Sequence, residues 1–140
     1  MRDCPGLIEV DEAVGEYRIV VLRNEPFGNP NGYLGVPLHS SHYGDDYDDF
    51  DVPVHGGWTY FGETHPLAEK SDGYWWFGFD TAHLGDRFDE EWCAERYGQD
   101  SAELHIVERL NGAFDCEDSH LWTVEEVREE LLESIKSISN

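Results

Sequence analysis

The strongest apolar signal in the chain is residues 74–79, Tyr-Trp-Trp-Phe-Gly-Phe, which stops at Asp80 and gives way to Thr81, Ala82, His83, Leu84, Gly85 and Asp86. Aromatic side chains favour the half-buried surface of a pleated strand, so this run predicts a strand through the core with a polar exit. A period of two sends Tyr74, Trp76, Gly78 and Asp80 to one face and Trp75, Phe77 and Phe79 to the other. Gly78 leaves space within that strand, which predicts a pocket beside Asp80. Residues 16–22 (Glu-Tyr-Arg-Ile-Val-Val-Leu) and 32–36 (Gly-Tyr-Leu-Gly-Val) read as two further strands, joined through the turn chemistry of Asn24, Pro26, Gly28, Asn29 and Pro30. Residues 1–15, with Ile8 and Val10 set between acids, predict a short edge strand.

Residues 51–61 place Val52 and Val54 on one face and Pro53 and His55 on the other, a fourth strand interrupted by a bulge at Gly56 and Gly57. The connector 62–73 then predicts antiparallel pairing of this strand with 74–79. Residues 39–51 carry His39, His42, Tyr43, Tyr47 and five Asp, the composition of a solvated loop. Farther on, 90–97 predicts a short helix, and Leu104 and Ile106 set against His105 and Val107 predict a strand over 103–110. Near the end Thr123 and Glu126 make a capping box, and Val124, Val127, Leu131, Ile135 and Ile138 form a stripe at helical spacing to about Ser137. The expected fold is a single α+β domain over residues 1–140: a mostly antiparallel sheet of four to five strands with the C-terminal amphipathic helix packed on it.

Charge narrows the function classes. There are 31 acidic against 9 basic residues, a formal charge of -22, and Lys70 and Lys136 are the lysines. Binding nucleic acid through phosphates needs a Lys/Arg surface that these residues cannot assemble, so no direct nucleic-acid partner is expected, and no anionic membrane. The acid runs from Asp11 to Glu133, the spread expected of a surface adapted to a salt-rich cytoplasm. A phosphate-mimicking inhibitor of a basic host protein is the competing reading, and it needs the acid gathered into stripes. Cys4, Cys93 and Cys116 are odd in number and far apart, which supports neither a zinc ribbon nor a CxxC redox site. With no apolar N-terminal run and no apolar stretch of membrane length, the expectation is a cytoplasmic protein.

Four segments together, Gly32-Tyr33-Leu34-Gly35-Val36-Pro37, Asp51-Val52-Pro53-Val54-His55-Gly56-Gly57, Trp75-Trp76-Phe77-Gly78-Phe79-Asp80 and Ala82-His83-Leu84-Gly85-Asp86, resemble a family of small uncharacterised proteins of bacterial and archaeal viruses and prophages. The likeness covers about residues 32–86 and the closing helix; the acidic loading and residues 87–118 depart from it. The resemblance implies a viral or mobile-element setting, with the host cytoplasm as location and counter-defence among the roles. It carries over no functional residue.

The chemistry-bearing candidates are His55, Asp80, His83 and Asp86. Imidazole and carboxylate together suit zinc, manganese or iron, and a single helical turn after the strand would bring the residues at steps of three to one side. A bound metal would activate water for hydrolysis of an ester, phosphodiester or amide, with Asp86 or His55 as base. Without metal, the same residues with Trp58 and Trp76 would bind a small nucleotide-like ligand, Tyr33, Tyr60 and Trp75 completing an aromatic wall. Each residue also has a local explanation: Asp80 as a cap, His83 on a backbone carbonyl, Asp86 pinning the Gly85 turn, His55 as a strand histidine. His39, His42 and His65 read as loop residues. Cys93 and Cys116 lie outside the motif stretch, which leaves nucleophilic catalysis the weakest option.

Overall fold

β-Branched residues restrict the backbone to extended conformations, and the Ile19, Val20, Val21, Leu22 run is accordingly the buried centre of a strand, β2 (Tyr17–Asn24). The computed structural model describes residues 6–25, 27–46, 49–64, 66, 71–82, 85–114 and 119–139. Around β2 lie β1 (Gly6–Val14), β3 (Pro30–Pro37), β4 (Tyr60–Thr64) and β5 (Ser71–Phe79), in the order β1-β2-β3-β5-β4 with every neighbour antiparallel. Among the described residues three helices follow, α1 (Glu90–Tyr97), α2 (Ala102–Phe114) and α3 (Val124–Ser139), with β6 (Asp86–Arg87) and β7 (His120–Leu121) forming a small parallel pair. The fold is α+β, with a five-stranded antiparallel sheet and the C-terminal helix packed on it.

The two faces of β5 divide as alternation predicts. Phe77 and Phe79 pack with Ile19, Val21, Leu34, Val36 and the α3 residues Val127, Leu131 and Ile135, whereas Trp76 packs with Val20, Leu22, Tyr33, Tyr60 and Tyr74 on the opposite face. Full burial of an aliphatic side chain such as Val127 or Leu131 contributes roughly 1.5–3 kcal/mol, so the α3 stripe is the main attachment of this helix. The glycines of β3 and β5 serve that packing. Gly35 lies opposite Trp76 and Gly78 opposite Tyr33; a Cβ on Gly35 would stand 3.0 Å from the indole and one on Gly78 2.8 Å from the phenol ring. At Gly32, opposite Phe79, a Cβ would meet Val127 at 2.8 Å, so α3 can approach the sheet there.

Three expectations are corrected. Residues 51–59 form no strand; Val52 and Val54 bury their side chains against the core from a loop, and the strand that pairs with β5 begins at Tyr60. The predicted strand at 103–110 is helix α2: Leu104, Val107 and Asn111 are buried at steps of three and four, Ser101 Oγ accepts the Leu104 N–H at 3.1 Å, and Ile106 is exposed. The edge strand β1 is nine residues long rather than short, with a register shift between Ile8 and Val10. The 39–46 stretch is tied to the sheet by the Trp75 Nε1–H, which donates to the Asp45 carbonyl at 2.7 Å. Tyr47 and His65, expected in loops, lie outside the described residues. No helix among the described residues is long and apolar enough to cross a membrane.

The glycine packing makes a directional prediction. Gly78→Ala pushes a methyl into the Tyr33 ring and should cost about 1–3 kcal/mol. Gly112→Ala, in α2 with nothing within 4 Å of the added carbon, should stabilise by about 0.5–1 kcal/mol. Urea unfolding of the two variants beside the parent checks both signs.

Candidate functional site

His55 reaches its position through a turn. The Gly57 N–H donates to the Val54 carbonyl at 3.0 Å, and Gly56 has φ +69° while no non-glycine among the described residues has positive φ, the signature of a type II turn with His55 at its first central position. The two glycines are thus needed for the turn rather than for a bulge. From there the imidazole Nε2 stands 2.9 and 3.0 Å from the two carboxylate oxygens of Asp86. The Asp86 side chain is 3% exposed and that of His55 26%, so a buried carboxylate holds a ring that still meets solvent. An ionised carboxylate only accepts, so Nε2 carries the proton and, in the neutral ring, Nδ1 is the acceptor.

Other elements complete the surroundings. Asp86 is the register partner of His120 across β6 and β7, and the His120 N–H donates to the Gly85 carbonyl at 2.7 Å. The Trp122 indole lies 4.2 Å from the His55 ring at 37° and 5.5 Å from the His120 ring at 83°. His120 Nε2 in turn contacts both oxygens of Glu126 at 2.8 and 3.0 Å. From α3, Glu130 Oε1 accepts the His55 backbone N–H at 2.8 Å. Two imidazoles, each held by a carboxylate, therefore flank one indole. Burial pushes Glu126 up, but hydrogen bonds from the Thr123 backbone, His120 and the Thr123 side chain outweigh it and leave this carboxyl below its ordinary value of 4.5.

Of the residues expected at a site, His55 and Asp86 come together. Asp80 accepts the Ala82 N–H at 3.2 Å, a local turn contact; of the stretch leading to Asp86, Thr81 is a bend and Gly85 a turn residue, and 83–84 lie outside the described residues. His83 lies outside the described residues, and among those described no group of three or more His, Cys, Asp and Glu could hold a metal ion. The aromatic wall is corrected outright. Trp58 and Trp75 pack on the α3 face, whereas Trp76, Tyr33 and Tyr60 pack on the other, and Trp76 is fully buried. Trp58 donates from Nε1 to the Val52 carbonyl at 2.7 Å and closes its own loop. Gly78, expected to open a pocket, is covered by Tyr33. An open hollow of about 560 Å³ does lie alongside, lined by Phe50, Asp51, Val52, Pro53, Val54, Gly57 and Trp58, but His55 is not part of its wall. Cys93 is buried, which pushes its thiol up and makes it a poor nucleophile.

Sequence reasoning passed over His120, Trp122 and Glu130, and read Glu126 as a cap alone. It is a cap, accepting the Thr123 N–H at 2.9 Å while Thr123 Oγ1 accepts that of Glu126 at 3.1 Å. No local signal marked Glu130, which borders the buried Val127, Leu131 and Ser134 stripe and is itself only part-buried.

His55→Ala removes the ring that faces Asp86 and should cost about 1–3 kcal/mol, read as a fall in the denaturation midpoint. Acid dependence has a definite sign. Glu126, and Glu25 held down by the Tyr97 hydroxyl and, against the upward effect of burial, by Arg96, are lowered in the folded state. Their contribution is therefore present above 4.5 and lost as pH falls through their folded values. The stability difference between the parent and Glu126→Gln should be fully present above pH 4.5 and close as pH falls below it. No family model, curated protein or solved structure matches this chain.

Proposed function

We propose that the chain binds a small polar ligand at the His55–Asp86 pair, with Trp122 as the adjoining aromatic surface. The observation that carries this reading is the buried Asp86 carboxylate orienting a part-exposed imidazole. Such a ring has a fixed donor and acceptor pattern, which is what selective binding of a polar ligand needs.

Charge restricts the ligand. Asp86, Glu126 and Glu130 surround the two imidazoles, while Arg87 pairs with Glu90 at 3.5 Å and Arg128 with Glu12 and Glu125. Phosphate placed there meets carboxylates. Within the nucleotide-like class, the ligand is therefore a nucleoside or another neutral or cationic molecule rather than a polyphosphate.

Metal-dependent hydrolysis is the second reading. The same pair offers one nitrogen and two oxygens, and an oriented imidazole can act as a general base. Among the described residues the pair falls short of the three protein ligands usual at a catalytic zinc, which ranks this below binding. Mimicry of nucleic acid toward a basic host protein ranks third, since Arg128 and Lys136 pair with the α3 acids that a mimic would present.

Calorimetric titration with adenosine, guanosine and cytidine, each compared with its triphosphate, tests the reading. Binding of at least one nucleoside is expected, lost in His55→Ala and in Asp86→Asn, and weaker for the triphosphate at low salt with the gap narrowing as salt rises. Heat signals that survive both substitutions, or tighter binding of triphosphates, would contradict it. A stoichiometric transition metal in the purified protein that His83→Ala abolishes would transfer the assignment to hydrolysis.

A further inference from the structure

The segment that carries His55 has almost no ladder bonding of its own. Thr59 N–H donates to the Gly78 carbonyl at 2.8 Å, Phe50 stacks on Phe77 at 3.9 Å and 13°, and Trp58 closes on Val52. These contacts hold the two arms of the loop. The tip, His55 and Gly56, lies between them, and Gly56 and Gly57 both have positive φ, so the conformationally freest residues of the loop adjoin the imidazole.

We propose that Glu130 is a positioning residue for the His55–Asp86 pair. Its carboxylate accepts the His55 backbone N–H across 75 residues of sequence, and so sets where the turn stands relative to β6. The side chain is part-buried at the edge of the α3 stripe of Val127, Leu131 and Ser134, where an apolar residue could pack as well. What an apolar residue cannot do is receive that N–H. Trp122, one residue before the N-cap of α3, backs the ring from the same helix terminus, so α3 fixes the imidazole by two independent contacts, one on the backbone and one on the ring. In this arrangement α3 is the element to which the geometry of the binding pair is referred, and movement of α3 moves His55 off Asp86.

This inference rests on reading the pair as the binding centre, but its test needs no ligand. Proton–nitrogen NMR of the parent, Glu130→Gln, Glu130→Ala and Glu130→Leu follows two signals: exchange of the His55 amide, and the His55 ring protons, which the nearby indole shifts by its ring current. Signals are assigned by their loss in His55→Asn. In Glu130→Ala the amide should exchange about ten-fold faster, the worth of one charge-assisted hydrogen bond, and the ring protons should move toward free-imidazole positions. Glu130→Gln, whose amide oxygen accepts the same bond, should restore the ring positions; Glu130→Leu, which keeps the packing, should not. Val127 and Leu131 methyl signals report that α3 stays docked. Ring protons unmoved in both Glu130→Ala and Glu130→Leu, or displaced equally in Glu130→Gln, would overturn the proposal. Nucleoside titration that fails while the ring moves as described would remove the binding reading and leave the positioning role standing.

Discussion

Close approach between β3 and β5 is the constraint on which the remaining structure depends. Side chains of indole and phenol size cannot lie across a neighbouring strand unless that strand lacks a Cβ beneath them, and here Gly35 and Gly78 supply the gaps for Trp76 and Tyr33. The same device at Gly32 admits Val127, which brings α3 down onto the sheet. Once α3 is seated, its N-terminal turn and Trp122 arrive beside the end of β5, and the loop through His55 can dock between them. A methyl at any of these glycines acts on the sheet first and on the site through it.

The site follows from how a loop without ladder bonds is held. Its backbone donors need partners, and one, the His55 N–H, is met by a carboxylate from α3. Its side chain meets Asp86, itself buried. Removing a carboxylate from water is costly, and an apolar pair of equal volume would tie the loop as firmly. The stabilising role alone therefore gives little reason for this chemistry, whereas an oriented imidazole at the surface gives a binding surface a defined polarity. The same reasoning applies to Glu130, a second, part-buried carboxylate with a specific donor.

Much of the sheet was readable from the sequence, and the reasons for the failures are specific. β2, β3 and β5 announced themselves through β-branched and aromatic runs and α3 through its capping box, while the Asp89 cap of α1, which accepts the Trp92 N–H, was not read. In α2 the exposed Ile106 next to the buried Leu104 imitated alternation, and only the spacing to Val107 and Asn111 marks the helix. Val52 and Val54 imitated a strand because burial from a loop and burial from a strand leave the same trace in a short sequence. For the site, His55 and Asp86 were grouped with Asp80 and His83 on the expectation of a hairpin between two strands; the two do meet, but a turn, not a strand ladder, carries His55 there. The aromatic wall was not, since Trp58 and Trp76 owe their burial to opposite faces of one sheet. His120 and Trp122 were hidden by distance: nothing local indicates that β7 returns to lie beside Asp86.

The central claim is that His55 and Asp86 act on one another directly. A double-mutant cycle of His55→Ala and Asp86→Asn, read by urea unfolding at pH 6, measures that interaction alone. A coupling of about 1 kcal/mol or more is predicted, as for side chains in direct hydrogen-bonded contact. Additive costs, with coupling indistinguishable from zero, would show that the two residues serve separate local structures and would contradict the account.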